Sequence, residues 1–223
     1  MRRPEIHANF VLSADGKIST PTHSPSTWSS SEDTQRYFSL RKQADAVLVG
    51  RGTLEADNMS LTTEGHRHWR CVVTNSGKLP AGSPLFLRPG GPIHLIGECA
   101  ELSPELRSQV TVHRNVQRFL AHAADSGVQR VLCEGGGQLL KSLIKSDLLD
   151  VLHLTWTGRF IFGGRQSPTC TGLPGDFLPK SVSLELISYD PSSDGSELFL
   201  SYRVKRGAEG AFKAESALSE PSL

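Results

Sequence analysis

Between Val128 and Asp150 an apolar, β-forming run (Val128 to Cys133) meets three consecutive glycines, Gly135 to Gly137. A helical repeat of Leu139, Leu140, Leu143, Ile144 and Leu148 follows, with Lys141, Lys145 and Asp147 between them. Such a segment folds as a strand, a turn without side chains, and a helix. Glycines let the backbone approach a ligand closely, and the first helical turn offers N–H groups with no intrahelical acceptor to an anion. Glu134 stands at the carboxyl end of the strand, where open α/β sheets place their ligands. A phosphate or pyrophosphate beside one carboxylate is the expected occupant. The bland alternative stays open: GGG is not the GxGxxG fingerprint, and glycines after a strand often make only a turn.

The rest of the chain alternates in the same way. Strands are expected at Ile6–Leu12, Ala46–Val49, Arg70–Thr74, Ile93–Ile96, Val110–Val112, Val151–Trp156, Leu184–Tyr189 and Glu197–Val204. Helices are expected from a Ser30 or Ser31 cap to about Gln43, at Thr53–Ala56, Leu102–Arg107 and Val116–Ala124. The first of these, with Glu32 and Asp33 in its opening turn, is expected to bury Tyr37, Phe38 and Leu40. Ala46–Val49 is wholly apolar, as in strands buried on both faces of a parallel sheet. The fold class is therefore α/β, a central mostly parallel sheet flanked by helices with an antiparallel C-terminal strand pair. One domain over residues 1–206 is expected, with 207–223 a polar, disordered tail.

Composition matters here for what it excludes. A net charge of +1 over 223 residues gives no reason to expect nucleic acid or an anionic membrane as partner. No apolar run approaches the ~20 residues that span a bilayer, and the N-terminus passes straight into a strand without a secretory segment. The four cysteines are widely spaced with no CxxC pair, so reduced thiols without disulfides, no structural zinc or other metal site, and a cytoplasmic location are expected.

Six segments, the glycine turn among them, stand in a consistent order: Leu12-Ser13-Ala14-Asp15-Gly16-Lys17, Ser26-Thr27-Trp28-Ser29, Leu40-Arg41-Lys42-Gln43-Ala44-Asp45-Ala46-Val47, Val49 to Asp57, Glu134 to Leu139, and Ile161-Phe162-Gly163-Gly164. Together they resemble the pyrimidine reductase of riboflavin biosynthesis, the C-terminal reductase domain of the bifunctional deaminase-reductase, which has a dihydrofolate-reductase-like fold. The likeness runs from about Ile6 to Arg203. It implies an NADPH-dependent oxidoreductase acting on a small phosphoribosylamino-pyrimidine, and a homodimer, for which the alternating Leu198–Val204 strand is the expected pairing element. Neither HxE nor PCxxC occurs, so a reductase without the deaminase is expected.

The resemblance also implies roles, each of which has an ordinary alternative. Gly50, Thr53, Asn75, Gly135, Gly136, Gly137, Gln138 and Leu139 fall at cofactor positions; by charge alone, not by the resemblance, Arg51 or Lys78 could meet a 2′-phosphate. Trp28 aligns with a cofactor-lining residue, although a Trp in a Ser-rich loop is also an ordinary packing anchor. Lys17, Ser26, Arg41, Asp57, Leu61 and Glu134 fall at substrate positions, with Lys17 and Glu134 as the pair that would manage the proton. Lys17 could equally be an exposed turn lysine, Arg41 a helix C-terminal cation, and Asp57 a turn cap. Two departures concern the substrate. Glu64 stands where the family carries a phosphate-binding arginine, with His66, Arg67, His68 and Arg70 nearby as stand-ins. Gly158-Arg159-Phe160 replaces an Ala-Pro-Lys. A reductase of this fold with another substrate, such as a pteridine or a small carbonyl compound, and a nucleotide-binding protein without turnover are the competing readings.

Overall fold

The computed structural model describes residues 3–20, 28–173, 175, 178 and 181–206. Its elements follow the alternation of the sequence. They are β1 (Glu5–Leu12), α1 (Ser31–Lys42), β2 (Ala46–Gly50), α2 (Arg51–Ala56), β3 (Trp69–Val73), α3 (Pro84–Leu87), β4 (Ile93–Ile96) and α4 (Pro104–Arg107). Then come β5 (Val110–His113), α5 (Val116–Asp125), β6 (Arg130–Cys133), α6 (Gly137–Lys145), β7 (Val151–Thr157), β8 (Ser183–Pro191) and β9 (Glu197–Lys205). Only α3 lacked a periodic signal. It is a single turn started by Ser83 and Pro84, whose ring presets the first helical φ.

One nine-stranded sheet runs in the order β5-β4-β3-β2-β6-β1-β7-β9-β8. The pairings from β5 to β7 are parallel, and β9 joins β7 and β8 antiparallel. Alternate residues of each central strand therefore serve different faces. Ile6, Ala8, Leu48, Cys71, Ile96 and Val131 pack with Phe119 of α5 and Leu140 and Leu143 of α6. Val47, Val49, Val72 and Leu95 pack against Leu54 of α2, Leu85 of α3 and Leu106 of α4. Cys71, Cys99 and Cys133 are buried free thiols, and burial holds the Cys133 thiol up at about 12.

Helix α1 breaks the apolar rule and corrects one expectation. Its buried residues are Asp33 and Arg41, whereas Tyr37 and Leu40 are only partly covered and Phe38 is 42% exposed. The surface beneath it is polar. Thr155 Oγ1 donates to Asp33 Oδ1 at 2.5 Å, and the Arg36 guanidinium donates to Thr155 Oγ1 at 3.2 Å and to the Leu200 carbonyl at 2.9 Å. A helix over hydroxyls and carbonyls must turn its hydrogen-bonding residues inward.

The C-terminal strands carry a second correction. β9 is hydrogen-bonded on one side to β7 and on the other to β8, so it has no free edge for another chain. The exposed edge belongs to β8, where Leu184, Leu186, Ile187 and Tyr189 are 37–65% exposed. The expected tail at 207–223 and the candidate Ser26 lie outside the described residues.

Candidate active site

The glycine triplet leaves the sheet at the carboxyl end of β6, beside the end of β2. Glu134 N donates to the Leu48 carbonyl at 3.0 Å, and Gly50 N to the Gly135 carbonyl at 2.9 Å. The glycines are there for different reasons. Gly135 has φ +121, a region side chains rarely adopt. A Cβ on Gly136 would stand 3.0 Å from Thr53 Oγ1, and one on Gly137 would lie 2.6 Å from Gly172 N and the Thr169 carbonyl.

How the helices begin separates this corner from the rest of the molecule. Among the described residues α1, α3, α4 and α5 are each capped by a side chain, from Ser30, Ser83, Ser103 and Asn115 respectively. The other two, α2 and α6, have Gly50 and Gly136 at the cap position, with no side-chain hydrogen bond. These two start at the ends of the adjacent strands β2 and β6. Helix starts whose cap residue supplies no side chain, beside the Thr53 hydroxyl, suit a diphosphate. Gly52, in the first turn of α2, is exposed with nothing within 4 Å of a would-be Cβ.

Away from this turn the rim becomes cationic. Arg51, the first residue of α2, reaches the Lys78 carbonyl at 3.5 Å and lies 4.0 Å from Glu55. Lys78 and Asn75 are exposed beyond the end of β3. Charge alone marks Arg51 and Lys78 in the sequence; the fold brings Lys78 to the first residue of α2. Trp28, only partly buried, is edge-on to Phe162 at 5.0 Å and to Phe160 at 6.2 Å between centroids.

Glu134 is not a lone carboxylate beside Lys17, and the expected pairing of those two is corrected. Arg41 Nε donates to Glu134 Oε1 at 2.5 Å and Nη2 to Oε2 at 2.6 Å, while the Tyr37 hydroxyl donates to Oε2 at 3.2 Å. Both side chains of the ion pair are about 95% or more buried, at 5% and 3% exposure. Burial, then the Glu134 charge, raises the Tyr37 pKa, which keeps its proton in place as a donor. Arg41 Nη1 donates to the Thr62 carbonyl at 3.0 Å, and its guanidinium lies 4.6 Å from the Tyr37 ring centroid. One buried cation thus ties the end of β6 to the loop after α2. A long apolar strand ending in a carboxylate announced that a partner was needed; that the partner is Arg41 is a tertiary fact.

The same loop carries or adjoins the other substrate candidates. Leu61 is 1% exposed within the second apolar cluster, so its side chain is core, contrary to expectation. The proposed stand-ins for a phosphate-binding arginine are also engaged elsewhere. Arg70 is buried and donates to the carbonyls of Gly91, Leu85 and Arg88. His68 Nε2 meets the Leu61 carbonyl, His66 Nε2 the Ala44 carbonyl, and Arg67 the Gly90 carbonyl. Glu64 is exposed beside the Thr63–His66 bridge. Asp57 is half-buried without a side-chain hydrogen bond or ion pair among the described residues, and burial raises its pKa. The Lys17 ammonium, in a partly buried position, also has no such partner there. Its turn is rigid: Asp15 accepts from Ser13 Oγ and from the Gly163 and Phe162 amides, which hold the Asp15 carboxyl down at about 2.

The class defined so far is an α/β protein with its candidate ligand site at the carboxyl edge of a mostly parallel sheet. The family model described as the RibD C-terminal domain matches residues 4–194, and the chain belongs to that family. It is 30% identical over 219 residues to the 2,5-diamino-6-ribosylamino-4(3H)-pyrimidinone 5′-phosphate reductase of Methanothermobacter thermautotrophicus, covering 91% of this chain and 99% of that one. It is also 30% identical to the protein of the same name from Archaeoglobus fulgidus, covering 76% of this chain and 87% of the relative. Among solved structures, the riboflavin biosynthesis reductase Rib7 of Saccharomyces cerevisiae superposes with a TM-score of 0.69 at 20% identity, covering 91% of this chain and 90% of that one. The Thermotoga maritima deaminase/5-amino-6-(5-phosphoribosylamino)uracil reductase superposes with a TM-score of 0.73 at 22% identity, covering 91% of this chain and 57% of that one. The fold is the dihydrofolate-reductase-like α/β arrangement.

Proposed function

We propose that this chain is an NADPH-dependent reductase of riboflavin biosynthesis, converting the 2,5-diamino-6-ribosylamino-pyrimidinone 5′-phosphate, or its uracil counterpart, to the ribitylamino product. Two relatives of that name, each 30% identical, support the substrate class. The observation that carries the cofactor half is the pair of adjacent helices opened by glycine instead of a capping side chain. The first turns of α2 and α6 and the Thr53 hydroxyl would hold the diphosphate, with Arg51 and Lys78 toward the 2′-phosphate. When bound, NADPH supplies the hydride. The ring-opened sugar presents a C=N or C=O bond, and hydride addition to its carbon must be matched by a proton on the heteroatom. Lys17 and Asp57, half-buried ionisable groups without internal side-chain partners among the described residues, could deliver it. The Glu134–Arg41 pair holds the loop that carries Asp57 and so positions the substrate side.

A second reading, the same cofactor with another substrate, is favoured by one observation: His66, Arg67, His68 and Arg70 are committed to backbone carbonyls. Following NADPH absorbance with both ribosylamino-pyrimidine phosphates and, separately, with dihydrofolate distinguishes the two. Oxidation only with the pyrimidines is expected; oxidation only with dihydrofolate would transfer the assignment to the second reading.

A homodimer and a cytoplasmic location belong to the first reading. The apolar exposed edge of β8 supports the dimer, and four free cysteines support a reducing compartment. No helix among the described residues is long and apolar enough to cross a membrane. Sedimentation velocity showing monomer alone would remove the dimer.

A further inference from the structure

Three histidines meet at the β5 edge of the sheet, on β4, at the end of β5 and in the last turn of α5. The ligand nitrogens of His94, His113 and His122 all lie within 4.8 Å of one another. His94 Nδ1 and His113 Nε2 face each other at 3.0 Å. Ring centroids are 5.3 Å apart for His94–His113, 5.2 Å for His113–His122 and 5.9 Å for His94–His122. His94 and His113 are 3% and 7% exposed, and His122 opens to solvent. Trp69 closes the group from the β3 side, stacked on His94 with centroids 4.0 Å apart and 13° between planes.

As an internal network this arrangement is poorly satisfied. The two buried rings are hydrogen-bonded to each other, and His94 Nε2 is buried without a hydrogen-bond partner among the described residues. The ordinary account of clustered histidines, a stacked edge of the core, explains the Trp69 contact, but two buried ring nitrogens 3.0 Å apart with a third ligand nitrogen within 4.8 Å also have the spacing of atoms that share one ion. From these contacts we propose that His94, His113 and His122 form a binding site for a divalent transition-metal cation of the Zn2+, Ni2+ or Cu2+ class.

The geometry and chemistry agree with that choice. Ligand nitrogens about 2.0–2.1 Å from a tetrahedral ion stand about 3.3 Å apart, within the span these nitrogens already occupy. Imidazole alone selects this class, because Mg2+ and Ca2+ require oxygen ligands and none belongs to the set. Burial first, then His113 and His122, brings His94 down to about 4, and burial then His122 lowers His113. Neutral imidazole is the ligand form, and burial favours it at His94 and His113. Three protein ligands with one of them exposed leave a coordination position for water and a route in. The ion would fasten α5 to β4 and to the edge strand β5.

The test needs the full chain without a histidine tag, with Zn2+ as titrant in isothermal calorimetry. One equivalent per chain is expected, and stoichiometric binding should raise the thermal midpoint because only the folded chain assembles the set. His122→Ala, at an exposed position, should weaken Zn2+ at least tenfold while leaving the metal-free midpoint unchanged. Cu2+ should quench tryptophan emission in the native chain and much less in Trp69→Phe. The proposal is overturned by no Zn2+ binding to the native chain, or by His122→Ala retaining native affinity. These readouts do not depend on turnover, so they stand or fall apart from the reductase assignment.

Discussion

Helices α1 and α6 both lie against the central sheet, yet they attach to it by opposite means. α6 buries Leu139, Leu140 and Leu143 against Ile6, Ala8, Val131 and Cys133. α1 buries Asp33 and Arg41 and is held by Thr155, the Leu200 carbonyl and Glu134. The apolar helix tolerates small shifts at modest cost, since dispersion and burial have no preferred direction. The polar helix is fixed by charges whose partners must be at hydrogen-bond distance, so loss of one leaves another exposed to a low dielectric. That difference places rigidity on the substrate side, where Arg41 also holds the loop at Thr62.

The comparison breaks most readily at the ion pair. Glu134→Gln should cost about 3–5 kcal/mol in urea unfolding, because it strands the buried Arg41 cation. The double variant Arg41→Met, Glu134→Leu should recover much of that loss, by the same reasoning that apolar isosteres often replace buried pairs. Additive losses in the double variant would mean that the pair is not a unit. Lost turnover in Glu134→Gln alone is thus no proof of an acid or base role. On the apolar side, Leu140→Ala should cost about 2–5 kcal/mol with no such rescue by a second truncation.

Acid sharpens the contrast between buried polar and apolar regions. Burial, then His7, Arg36 and Arg130, brings the His153 pKa down to about 3, and burial with His113 and His122 brings His94 to about 4. Their unfolded values near 6.5 are higher, so the unfolded chain binds protons first. Stability is then full above about pH 6.5 and falls as pH drops toward 3–4, by on the order of 1–3 kcal/mol per ring. Urea midpoints that stay flat from pH 7 to pH 4.5 would show that these rings are not buried neutral.

The smallest stability effect carries the sharpest functional sign. Gly52→Asp places a carboxylate in the uncapped first turn of α2, where it should stabilise the free protein by about 0.3–1 kcal/mol. The same charge should weaken NADPH severalfold by repelling the diphosphate. A stabler variant with native NADPH affinity would put the phosphates elsewhere. Gly137→Ala is the packing control. Its Cβ would meet backbone at 2.6 Å, so about 1–3 kcal/mol should be lost whether or not a ligand binds.

Much of this was legible in the chain, and the exceptions share a cause. The strands, α5, α6 and the glycine turn declare themselves through apolar period and through residues that only a turn accepts. Tyr37, Phe38 and Leu40 were expected to be the buried face of α1 because apolar residues usually mark it, but the surface beneath them is polar. Leu61 was placed at the substrate by its position in a motif, while its side chain is core. Glu134 was expected beside Lys17, and Arg70 beside a phosphate; each is held by groups distant in sequence or by loop carbonyls.

The sequence by itself determined the α/β alternation, the mostly parallel sheet and the glycine-opened helix after β6, because these depend on neighbours within a few residues. Only the tertiary structure decided that Gly50 and Gly136 open adjacent helices, that Arg41 is spent on Glu134, and that His94, His113 and His122 meet. Charges, lone pairs and unfilled amides act through space over a few ångströms, and chain order alone does not say which of them will be brought that close.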